Sequence, residues 1–82
     1  MEIPSPIKRR YIEIEQHLDN TINPLHHINE HKERFIFDTC NSLSVWFYFN
    51  HTTNFTTEEL LKYFKYMFRT KIILYWEKMN GN

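Results

Sequence analysis

The sequence predicts a small all-α domain, and three observations carry that expectation. Apolar residues recur at helical spacing along each of three segments. Helix-breaking residues are scarce, with one Gly and three Pro. A capping box, Thr56-Thr57-Glu58-Glu59, opens the last segment. In such a box the cap hydroxyl and the carboxylate three residues on each satisfy an orphan backbone amide of the other.

The first helix is predicted over about residues 6–19. Ser5 is the expected N-cap, and Pro6 is the expected first helical residue, where a missing N–H leaves nothing unsatisfied. Ile7, Tyr11, Ile14 and Leu18 form a narrow apolar stripe behind it. Asp19, Asn20 and the residues before Pro24 end the segment.

The second helix is predicted over about residues 24–50, as the long central element. On a wheel of 100° per residue, Leu25, Ile28, Phe35, Ile36, Thr39, Cys40, Leu43, Trp46 and Phe47 share one arc. A competing assignment makes residues 43–49 a strand in an α+β fold, because Val, Trp, Phe and Tyr favour strands. The unbroken wheel favours the helix. Phe37 and Tyr48 fall opposite the core arc, with Val45 and Phe49 nearby.

The third helix is predicted over about residues 57–79, with Phe55 and Leu60 placed for a hydrophobic staple. Leu60, Leu61, Phe64, Met67 and Phe68 form its core face, and Lys62, Lys65 and Arg69 lie opposite. Beyond them the register breaks. The same wheel puts Lys71 among the apolar residues and Ile73 and Trp76 on the polar side. The expectation is either a kink near residues 69–71 or a different packing partner for the last turns.

Function is constrained mainly by exclusion. At 82 residues the chain is a single domain with little room for a cleft. Ten basic and ten acidic residues balance, so no global field draws it to nucleic acid or to an anionic membrane. No run approaches the ~20 apolar residues of a spanning helix, and no signal peptide is evident. Cys40 is the one cysteine, so an internal disulfide is excluded. Its place on the core arc predicts a buried thiol, not a nucleophile. The expected location is intracellular, cytoplasmic or nuclear. Absence of alanine and abundance of Asn, Ile, Lys, Phe and Tyr are consistent with an AT-rich genome, as in a virus.

His27-Ile28-Asn29-Glu30-His31 resembles the H-x-x-E-H signature of inverzincin metallopeptidases. The resemblance implies zinc on His27 and His31 with Glu30 as base. It spans five residues, and that family needs a further carboxylate ligand and a large domain shaping a cleft, which 82 residues cannot supply. No metal, no cofactor and no catalytic residue are therefore assigned. The short-long-short layout resembles a histone fold, with Asn54-Phe55-Thr56-Thr57-Glu58 at the second loop. That resemblance is one of layout only, and it implies a dimer through the long helix.

The aromatic share, 17%, exceeds what one small core shelters. The chain is accordingly expected to be a non-catalytic interaction module. It would dock through Phe37, Tyr48, Phe49, Ile73 and Trp76 onto a protein partner or a second copy, as a homodimer or a complex subunit. The alternative is a nucleic-acid-binding protein whose Lys62, Lys65, Tyr66 and Arg69 track phosphates and stack on bases.

Overall fold

A computed structural model of the chain describes residues 1–22 and 31–80. Among these residues four α-helices follow one another: α1 (Ser5–Lys8), α2 (Tyr11–Ile22), α3 (Lys32–Asn50) and α4 (Thr57–Met79). Among the described residues there is no strand, so the all-α expectation holds and residues 43–49 are helical.

Several boundaries differ from expectation. The first segment is two helices, because residues 9 and 10 form a turn between α1 and α2. Pro4 occupies the N-cap of α1 and makes no side-chain cap, so Ser5 is the first helical residue and not the cap. α3 starts at Lys32, after an extended His31. The predicted helical stretch over residues 24–30 lies outside the described residues. α4, with 23 residues, is longer than the central α3, with 19, unlike the short-long-short layout of the histone resemblance. At 1.5 Å per residue α4 is about 34 Å long, which accounts for most of the 39 Å long axis of the molecule.

The capping box forms as predicted. The Glu59 amide donates to Thr56 Oγ1 at 3.1 Å and the Thr56 amide donates to Glu59 Oε1 at 2.9 Å. Phe55, just ahead of it, packs against the core and meets the Tyr63 ring edge-on at 5.7 Å.

The buried residues are arranged in rows of every fourth position. They are Ile3 and, on α1, Ile7; Ile14, Leu18 and Ile22 on α2; Phe35, Thr39, Leu43 and Phe47, beside Ile36, Cys40 and Ser44, on α3; and Leu60, Phe64, Phe68 and Ile72 on α4. Each step of four residues advances about 40° round a helix of 100° per residue, so such a row winds round its helix. Rows of this kind interlock when helices cross steeply, at about 50°, instead of lying side by side as in coiled coils. Winding also resolves the register break of α4. The helix is uninterrupted through residues 69–71, and its later turns face α2 as well as α3. Ile72 is fully buried, and Ile73 and Trp76 are half-buried against the core.

Lys71, the cation among the apolar positions, is met by carboxylates from α2. Its Nζ lies 3.1 Å from Glu15 Oε2 and 3.1 Å from Asp19 Oδ1. The Tyr75 hydroxyl donates to the same Asp19 oxygen at 2.7 Å. That hydrogen bond, with Lys71 assisting, holds the Asp19 carboxyl below its ordinary value against the opposing effect of burial. One turn earlier, Tyr11 stacks on Phe68 with centroids 5.4 Å apart.

The seam between α2 and α3 is aromatic. His17 stacks on Trp46 at 4.1 Å and nearly parallel, 8° apart. His51, just after α3, sits edge-on to the same indole at 5.7 Å. Its Nε2 lies 3.1 Å from Glu13 Oε1, near enough for an ion pair but without hydrogen-bond geometry. These pairings set the helix directions. As α2 advances from Glu13 to His17 it passes His51 and then Trp46, so it runs antiparallel to α3. α4 runs parallel to α2, meeting it in order at Phe68, Lys71 and Tyr75.

Three outcomes follow for stability. Phe64→Ala empties a fully buried site and should cost about 3–5 kcal/mol. Thr56→Ala removes half of the capping box and should cost about 1 kcal/mol. Both are read from urea midpoints at constant m-value. The third concerns pH. Burial lowers the His17 pKa, so on acidification the unfolded chain takes up that proton first. Stability is therefore level above the unfolded value of about 6.5 and falls below it. His17→Phe keeps a ring against Trp46 and should flatten that fall, measured by thermal melts between about pH 7 and 5.

Candidate functional site

α3 is buried on about half of its circumference, because α4 and α2 pack on adjoining sides of it. The uncovered half carries Arg34, Phe37, Asp38, Asn41, Ser42, Val45, Tyr48 and Phe49. Four of these are large hydrophobic or aromatic side chains left in solvent. Phe37 is 44% exposed, Val45 39%, Tyr48 46% and Phe49 78%. Tyr48 and Phe49 meet edge-on at 5.5 Å and form the broadest part of the patch. Charge is confined to the start of the face, where Arg34 Nε donates to Asp38 Oδ1 at 3.2 Å.

Beyond Asp38 the chain carries no Lys, Arg, Asp or Glu until Glu58, although such residues make up 24% of the sequence. That run includes the second half of α3 and the whole loop to α4. Its surface presents aromatic rings, amides and hydroxyls in place of charges. An open hollow of about 440 Å³ continues the patch, lined by Tyr48, Thr53, Asn54, Phe55, Thr56 and Thr57. Depletion of charge with enrichment of aromatic residues is the compositional mark of interface centres. Tyr with Ser, Thr and Asn supplies contact area and adaptable hydrogen bonds at small entropic expense.

Of the residues assigned to docking, the structure brings Phe37, Tyr48 and Phe49 onto this one exposed face. Ile73 and Trp76 stand elsewhere, half-buried against the core. Their placement follows from the winding row of α4, which a fixed wheel does not represent. The charge-free run was legible in the sequence as an interval between charged residues, which periodicity alone does not reveal, whereas the wheel that places Phe37 and Tyr48 outward also places Asn41 there. Two further exposed hydrophobics, Ile12 on α2 and Leu74 on α4, stand apart from the patch.

The basic face of α4 is also formed, but part of its charge is already engaged. Lys62 and Tyr66 are exposed and Lys65 is half-buried. Both terminal nitrogens of Arg69 donate to the Glu33 carboxylate on α3, one of them at 3.1 Å. The hydrogen bonds from Arg69 hold the Glu33 carboxyl below its ordinary range, opposed by a smaller burial effect. A phosphate would have to displace that carboxylate to use Arg69.

Cys40 is fully buried, and burial pushes its thiol up to about 12. It packs as a small hydrophobe. His31 is exposed ahead of α3, while His27 and Glu30 of the H-x-x-E-H motif lie outside the described residues. Among the described residues no three His, Cys, Asp or Glu side chains cluster as metal ligands would. Among them, too, no helix is long and apolar enough to cross a membrane.

Comparison of the chain with protein-family models, with curated proteins and with solved structures finds no match.

The exposed face and the core of α3 alternate along the same helix, which gives a contrast to measure. Phe49→Asp should change stability by no more than about 0.5 kcal/mol. Phe47→Asp, two positions away and buried, should leave little folded protein, because it buries an unpaired charge. Circular dichroism melts of the two variants check this. Equal damage from both would mean that Phe49 belongs to the core.

Proposed function

We propose that this chain is a non-catalytic helical docking module whose binding surface is the outer face of α3. The observation that carries it is the exposure of Phe37, Val45, Tyr48 and Phe49 together on one helical face that carries no charge after the paired Arg34 and Asp38. Such rings gain most from burial against a partner, each removing large apolar area from water. Isolated exposed hydrophobics are ordinary on a protein surface, whereas a contiguous set marks association. Binding here is driven by apolar contact and shape, so it should change little with salt.

Nucleic-acid binding through α4 is the rival, and the structure weighs against it in one particular. Arg69 is occupied by Glu33, which leaves Lys62 and Lys65 as the cations of that face. Phosphate-driven binding would weaken steeply as salt rises, with a slope set by the number of phosphates contacted.

The test uses benzophenone photo-crosslinking in cells, with the photoreactive residue placed at position 49 or, as control, at position 66. Docking through α3 predicts a discrete protein adduct from position 49 that disappears when Phe37→Glu is added. A nucleic-acid adduct from position 66, with none from position 49, would favour the α4 surface and end the docking proposal.

A further inference from the structure

The channel between α3 and α4 is filled by α2, and we infer that this channel is an acceptor for an acidic amphipathic helix, of which α2 is the resident and displaceable example. The channel is a different surface from the outer face of α3, and the inference does not depend on the docking reading.

The residues of α2 sort into strips at a spacing of four. Ile14, Leu18 and Ile22 form a fully buried keel, while Ile12, Gln16 and Asn20 form an exposed outer edge. The flanks between keel and edge carry the polar contacts. On the α3 side, Glu13 Oε1 lies 3.1 Å from Nε2 of His51, and His17 stacks on Trp46. On the α4 side, Glu15 and Asp19 each reach Lys71 Nζ at 3.1 Å, and Asp19 accepts from the Tyr75 hydroxyl. An apolar floor therefore lies between two rims, with His51 on one and Lys71 and Tyr75 on the other.

Lys71 is the determinant of what this channel accepts. A cation among apolar positions is costly without a carboxylate, and the carboxylates that meet Lys71 belong to α2. Any replacement helix must satisfy the same two demands. It needs aliphatic residues at every fourth position and a carboxylate directly after the first two of them. In this chain the pattern is Ile14-Glu15, Leu18-Asp19 and Ile22. Recognition is of the helix-in-groove kind, with the acid positions adding selectivity. α3 and α4 also hold each other directly, through Phe47 against Phe64 and through Glu33 with Arg69, so release of α2 leaves those contacts in place. A visiting helix competes with a tethered occupant, whose effective concentration is on the order of millimolar.

The test probe is a fluorescein-labelled peptide of residues 9–23, titrated with the full chain and followed by anisotropy. Wild type should bind it weakly, because its own α2 is in the way. A full chain carrying Glu15→Lys with Asp19→Lys sets like charges against Lys71, vacates the channel and should bind the peptide at least tenfold more tightly. The same chain should reject a peptide carrying those two lysines. Lys71→Glu in the full chain should reverse the preference between the two peptides. Adding Phe49→Asp to the lysine-bearing chain should change nothing, and a loss of binding there would place the peptide on the outer face of α3 and overturn the inference. So would equal binding by the wild-type and lysine-bearing chains, or binding without regard to peptide charge. If the lysine-bearing chain loses the helicity of α3 and α4 by circular dichroism, the wild-type peptide should restore it. A chain that stays unfolded at about 1 mM peptide would mean that α2 belongs to one indivisible core, and the acceptor channel would be disproved.

Discussion

Among the described residues the buried rows of the helices repeat at four residues, and that spacing governs how the helices meet. A row at this interval turns about 40° per step relative to its helix axis. It cannot stay against one straight partner over several turns. α4 therefore starts on α3, where Phe64 meets Phe47 at 5.7 Å, and ends facing α2 as well, where Ile72 is buried and Lys71 reaches Glu15 and Asp19. A seven-residue repeat would have kept the helices side by side.

The second consequence is an imbalance of cover. α2 has 12 residues, about 18 Å, against 19 in α3 and 23 in α4. Its apolar side is spent on three buried residues, Ile14, Leu18 and Ile22, and on the stack of Tyr11 against Phe68, and polar contacts do the rest of its docking. Histidine stacking, the Glu13 contact with His51, and the Lys71 and Tyr75 bonds to its carboxylates hold α2 to the other two helices. Two neighbours cover half of α3. The remaining half keeps Phe37, Val45, Tyr48 and Phe49 in water.

Uncovered aromatics on one helix face and a surface cleared of charge are two independent features, and they coincide in space. The first comes from helix count and length, the second from composition. Their overlap is what distinguishes this face from the basic side of α4, whose arginine is already held by Glu33, and from the lone exposures of Ile12 and Leu74.

Local signals in the sequence determined the elements themselves. The box of Thr56 and Glu59 needs only residues three apart, so it was readable directly and sets the start of α4. Phe37, Tyr48 and Phe49 were readable as outward-facing because α3 is buried along rows close to its predicted arc, and Cys40 as buried for the same reason. Tertiary structure decided what depends on a partner helix. Whether Lys71 could stand among apolar neighbours turned on Glu15 and Asp19, more than fifty residues away. Where Ile73 and Trp76 pack turned on the angle at which α4 crosses its neighbours. A wheel describes one helix in isolation, and it carries no information about which other helix will arrive, or at what inclination.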